Sequence, residues 1–135
     1  MAPNPKKLKK RKKVESNISV IRSGKGETVE LGGGSFSNLI LTSSTLKSNK
    51  SMLGYSVFKP GIDTPQKIHF KAEELVYVVS GSGKITVKGE AYAFGPGDSI
   101  FIPPGVPHGV RNDGREDVAM IFFFSSPNYP RTKNA

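Results

Sequence analysis

The chain has two histidines, His69 and His108, and both fall in one stretch from Gly61 to Asn112. Imidazole nitrogens ligate divalent metals and carry protons near neutral pH, so two of them near a carboxylate define a chemical site. Glu74 supplies that carboxylate. On an extended strand alternate residues share a face, so Lys67 points with His69 while Gln66 and Ile68 point away. In the next strand Glu74, Val76 and Val78 share one face, and Leu75, Tyr77 and Val79 share the other. The first of these faces is apolar except for Glu74. A carboxylate at the mouth of an apolar lumen is costly to ionise without a partner, and His69 and a cation are the obvious partners. Further on, Pro103-Pro104-Gly105-Val106-Pro107 restricts φ at three of its five residues and delivers His108 on a rigid loop.

These residues need a β scaffold to meet, and the rest of the sequence reads as one. From Ser16 onward there is no helical period. Short β-branched and aromatic runs are punctuated by Gly, Pro and Asn, which implies an all-β sandwich or barrel. Strands are expected over residues 28–31, 36–42, 52–59, 66–70, 74–80, 84–88, 91–94, 99–102, 109–111 and 118–124. Gly81-Ser82-Gly83 and Lys88-Gly89-Glu90 read as hairpin turns, and residues 43–50 as a surface loop. The last residues, 127–135, contain two prolines and are expected to hang on the surface as a tail.

At 135 residues the chain has room for one domain, with the barrel over residues 16–126. The absence of cysteine excludes disulfides and thiolate metal sites. No apolar run is long enough to span a bilayer, and the basic N-terminus lacks the apolar region of a secretory signal. These features favour a cytoplasmic protein, or a nuclear one in a eukaryote. The net charge is +9, yet residues 6–13 alone contribute seven positive charges, and removing them leaves +2 for the rest. The basic bias thus belongs to a leader, residues 1–15, expected to be disordered. Weak contact with a polyanion or nucleic acid is expected only through Lys6–Lys13.

The spacing of the central stretch resembles the cupin family. Its first motif is met by Gly61, five residues, Lys67-Ile68-His69, four residues, Glu74, six residues and Gly81. Its second is met by Gly97, Pro103, Gly105, His108 and Asn112. The resemblance implies an all-β, cupin-type double-stranded β-helix (a jelly-roll barrel), often dimeric, with a divalent metal often held in its mouth. Family members that hold a metal use both histidines of the first motif, its glutamate and the histidine of the second. Here His69, Glu74 and His108 are present, and Lys67 replaces the other histidine. Two histidines and a carboxylate still suffice for Fe, Mn, Ni or Zn. A protonated amine about 4 Å from a dication is nevertheless repelled by roughly 8 kcal/mol at an effective dielectric near 20, so Lys67 must lose its proton or swing aside.

Two arrangements follow. Either the three ligands hold metal, or Lys67 pairs with Glu74 and the histidines hydrogen-bond around them. The resemblance also implies a small-molecule ligand, a sugar or small organic acid, with isomerase, lyase, decarboxylase and dioxygenase chemistry all represented. Lys67 and Glu74 are the candidate catalytic residues in that case. Gln66, Tyr55 and Tyr77 are further candidate substrate contacts, although parity turns Gln66 outward and makes the tyrosines packing residues first. The alternative is a non-catalytic binding or dimerisation module without metal.

Overall fold

The computed structural model describes residues 18–135, and the basic leader with Lys6–Lys13 lies outside them. Among the described residues there is no helix. The strands are β1 (Glu27–Gly32), β2 (Ser35–Leu41), β3 (Met52–Phe58), β4 (Lys67–His69), β5 (Glu74–Ser80), β6 (Gly83–Val87), β7 (Glu90–Phe94), β8 (Ser99–Ile102), β9 (Gly109–Arg111), β10 (Val118–Phe124) and β11 (Thr132–Asn134). No helix of the described residues is therefore long and apolar enough to cross a membrane.

Two antiparallel layers face each other. The larger is a six-stranded sheet in the order β1-β2-β3-β10-β5-β8. The smaller begins as β7-β6-β9, and residues 61–69 then run antiparallel to 108–112 through backbone bonds from Gly61 N to Asn112 O, Thr64 N to Val110 O and Lys67 N to His108 O. On the far side of that segment β11 pairs with β4, so the second layer is β7-β6-β9-β4-β11 once these bonds are included. This is the jelly-roll barrel expected from the sequence.

Alternation builds the core between the layers. In β3 every second residue is buried, and in β5 Val76 and Val78 are buried while Leu75, Tyr77 and Val79 face out. Met52, Val78, Val118 and Phe124 are no more than 2% exposed. Asn112, the last residue of the second motif, is fully buried and is a structural brace. Its amide donates to the Phe58 and Glu116 carbonyls and its oxygen accepts from Gly114 N, satisfying the corner between β9 and β10.

Two turns read alike in the sequence turn out to differ. Lys88 and Gly89 take φ of 43° and 81° and join the paired strands β6 and β7 as a two-residue hairpin. Gly81 also has positive φ, but it carries the chain from β5 in the larger sheet to β6 in the smaller, and these strands are not paired. The tail is the other departure. Residues 132–134 do not hang free; they form β11, with Thr132 opposite His69.

Gly81 and Gly89 provide a controlled comparison. A Cβ at Gly81 would lie 2.3 Å from the Asp117 carbonyl oxygen, whereas one at Gly89 meets nothing within 4 Å. Gly89→Ala is expected to cost about 1 kcal/mol of backbone strain. Gly81→Ala adds a backbone clash and should cost about 3 kcal/mol in urea unfolding; equal losses would contradict the crossover geometry.

Candidate functional site

Three elements deliver the donors to one end of the barrel. His69 closes β4, Glu74 opens β5, and His108 leaves the proline-rich loop just before β9. Glu74 is paired through its strand to Phe124 of β10 and Ile102 of β8, which fixes its side chain over the lumen. Glu74 Oε1 lies 3.2 Å from His108 Nε2 and 3.5 Å from His69 Nε2, and the imidazole centroids are 5.0 Å apart. Both histidines are buried, at 4% and 7% exposure, so three chemically active side chains share a nearly dry corner.

Each imidazole is anchored through its other nitrogen. His108 Nδ1 donates to the Val106 carbonyl at 2.9 Å, and His69 Nδ1 lies 2.7 Å from Thr132 Oγ1. Phe124 and Tyr129 pack edge-on against the His69 ring. Burial alone would push the Glu74 carboxyl up, but hydrogen bonds from His108 and His69, with their charge, hold it below its ordinary value. Burial pulls His108 down, yet its bonds to Glu74 and to the Val106 carbonyl raise it above the ordinary value, against the opposing charge of Lys67.

The donor set suits a divalent cation. One ligand atom from each of His69, Glu74 and His108 lies within 4.8 Å of the others, and the two imidazoles and one carboxylate match the facial arrangement that borderline metals accept. Lys67 lines the same cavity, as alternation requires. It makes no ion pair with Glu74 among the described residues; the carboxylate is engaged by the two histidines instead, and the Lys67–Glu74 pair of the second arrangement is not formed. The cavity, about 280 Å³, runs inward between Phe58, Ile85, Ile102, Val110, Met120 and Phe122.

The three other candidates lie elsewhere. Gln66 points away from the mouth and donates to Thr86 Oγ1 at 2.7 Å and to the Thr86 carbonyl, pinning β4 to β6. Tyr55 and Tyr77 flank Ile121 in one cross-strand row on the outer face of the larger sheet, and Tyr77 is 51% exposed. The outward parity of strands β3 and β5 turns both away from the cavity. Tyr129 is the tyrosine that does line it. Although 42% of that residue stays exposed, desolvation of the phenol and the Glu74 charge push its pKa up to about 12. Neither Tyr129 nor Thr132 was singled out from the sequence. A lone aromatic between two prolines and a three-residue strand carry no periodic signal.

Residues 54–124 match the cupin domain family, and the chain belongs to that family. Among curated proteins it is 31% identical over 86 residues to the polyketide synthase protein CurC of Streptomyces cyaneus, an alignment covering 64% of this chain and 56% of that protein. It is 32% identical over 88 residues to an uncharacterised protein of Methanocaldococcus jannaschii, covering 65% and 70%. Among solved structures it resembles the polyketide cyclase RemF from Streptomyces resistomycificus, with TM-score 0.72, 20% identity, and coverage of 87% of this chain and 85% of that one. The chain thus spans little more than half of the first of these curated relatives.

The ionic cluster makes the metal-free protein's stability depend on pH. The Glu74 contribution, from a lowered carboxyl, is complete above its ordinary value of 4.5 and is lost as pH falls through the folded value. That of His108, from a raised imidazole, is complete below 6.5 and is lost as pH rises through the folded value. The stability difference between the chain and Glu74→Gln should therefore be largest between these two values and shrink on either side. A difference that grows from neutral to alkaline pH in urea titrations would contradict the pairing.

Proposed function

We propose that this cupin is a metal-dependent enzyme that acts on a small organic acid at the barrel mouth. The observation that carries the reading is the convergence of the His69, Glu74 and His108 ligand atoms within 4.8 Å at the head of a mostly apolar cavity. His69, Glu74 and His108 would hold the cation. When bound, the metal would supply Lewis-acid polarisation of a substrate oxygen.

The remaining roles belong to the chain's own side chains. Lys67 presents an ammonium at the cavity wall, suited to hold a substrate carboxylate and to donate a proton to it. Phe58, Met120 and Phe122 offer an apolar lining for a small hydrocarbon body and Ser37, Ser56 and Thr64 a few polar contacts, and it is the cationic Lys67 beside them that favours an organic acid over a sugar. Tyr129 forms the outer wall, where its protonated phenol can donate but not abstract a proton at neutral pH. The names of similar proteins, a polyketide synthase protein and a polyketide cyclase, agree with small-molecule chemistry.

The same reading includes a homodimer. Leu53, Phe123, Leu75 and Phe101 form one cross-strand row on the outer face of the six-stranded sheet, beside the row of Tyr55, Ile121 and Tyr77. Leu75, Tyr77, Phe101 and Phe123 are 39–57% exposed with no charged residue in either row. Pairing this face with that of a second copy would bury on the order of 1,200 Å², the lower edge of a stable interface.

Metal content decides the central reading. Protein purified without chelators is expected to hold about one equivalent of a transition metal, and Glu74→Ala to hold none. Lys67→His should raise the affinity by up to about three powers of ten, because a repelled cation becomes a ligand. Absence of metal at neutral pH from both the chain and the Glu74→Ala variant would leave the non-catalytic module as the better account. For the dimer, light scattering should report two copies, and Phe101→Asp should yield monomers; a monomeric parent chain would remove the interface.

A further inference from the structure

We propose that Thr132, on the C-terminal strand, is a positioning residue that dictates which nitrogen of His69 is presented to the site. Its consequence for function rests on the metal reading above; its geometry does not. A threonine hydroxyl has one proton to donate and lone pairs with which to accept. Thr132 Oγ1 lies 2.7 Å from the Pro130 carbonyl oxygen, which can only accept, so the hydroxyl proton is committed there. The same oxygen lies 2.7 Å from His69 Nδ1. With its proton engaged it can only accept from the ring, so Nδ1 carries the hydrogen. The neutral imidazole then has its lone pair on Nε2, the atom facing Glu74, and the bond from Nε2 to that carboxylate belongs to the doubly protonated imidazolium.

The segment is braced to hold that oxygen in place. Thr132 and His69 are register partners of β11 and β4, and Ala135 N donates to the Gln66 carbonyl at 2.9 Å. Arg131 and Lys133 lie over the Phe70 ring at 5.4 and 5.7 Å, clasping the strand end from outside. Tyr129 closes on the His69 ring edge-on, at 5.7 Å between centroids. His108 receives the equivalent anchor from the Val106 carbonyl within its own loop. The cupin match ends at residue 124, so His69 alone relies on a segment beyond it. Oxygens that accept from the distal nitrogen of a ligating histidine fix its tautomer and orientation, and their loss typically weakens metal binding about 10- to 100-fold.

The test compares Thr132→Val, which keeps the shape and removes the acceptor, with Thr132→Ser, which keeps the hydroxyl. On metal-free protein at alkaline pH, ¹⁵N correlation spectra of the imidazoles report the tautomer. The parent chain and Thr132→Ser should show His69 protonated on Nδ1, and Thr132→Val a mixture of tautomers. With Zn²⁺ alone as the probe, chelator competition should show Thr132→Val binding about 10- to 100-fold more weakly and Thr132→Ser within a few-fold of the parent. An unchanged tautomer in Thr132→Val, or equal losses in the Ser and Val variants, would overturn the proposal. If Thr132→Val fails to fold, Thr132→Ala with the same spectra decides it by the same criteria. A Thr132-dependent tautomer in a parent chain that takes up no Zn²⁺ would uphold the positioning and overturn the metal reading instead.

Discussion

One carboxylate oxygen shared by two imidazoles is the constraint around which this barrel end is arranged. Glu74 Oε1 stands 3.2 and 3.5 Å from the Nε2 atoms of His108 and His69, in a corner where none of the three side chains is more than 13% exposed. An ion buried this far costs several kcal/mol unless it is closely partnered, so the cluster is tolerated only if all three groups arrive together. Each comes from a different part of the chain: a strand end, a strand start and a proline-stiffened loop. The cross-layer bonds between residues 61–69 and 108–112 bring the two histidines side by side. The six-stranded sheet holds Glu74 opposite them. Fold and site are thus linked by a single electrostatic requirement.

Most of the scaffold was legible because half-buried strands have a two-residue period. Four strands, β5, β8, β9 and β10, have the bounds read from alternation, and the other expected strands differ at their ends by no more than two residues. Legibility failed where tertiary contact overrides local pattern. Glycine with positive φ serves hairpins and sheet crossovers equally, so Gly81 could not be told from Gly89 without knowing which strands pair. β11 is three polar residues long, and it exists because β4 offers it an open edge and Tyr129 packs on His69 and Phe124.

The site was legible to the same depth. Parity placed Lys67 with His69 and turned Gln66, Tyr55 and Tyr77 away, as the structure has them. It could not say that Glu74 would choose the histidines over the lysine, because that choice depends on where three separate chain segments stop. Nor could it point to Thr132, whose role is a hydrogen bond across 63 positions of sequence. Two features of this chain thus shape the mouth of the cavity: Lys67, whose side chain lines it beside the three donors, and a C-terminal strand lying beyond the matched segment. On the function proposed above, the three donors would take a cation and Lys67 the anionic end of a substrate.

The central claim is that these three donors, and not Lys67, define a metal position. Anomalous diffraction from crystals equilibrated with Zn²⁺, recorded at the zinc edge, tests it directly. A single peak about 2.0–2.2 Å from His69 Nε2, His108 Nε2 and a Glu74 carboxylate oxygen, with the Lys67 ammonium turned from it, is the expected result. No peak there, with the Lys67 ammonium occupying the point between the three, would contradict the account.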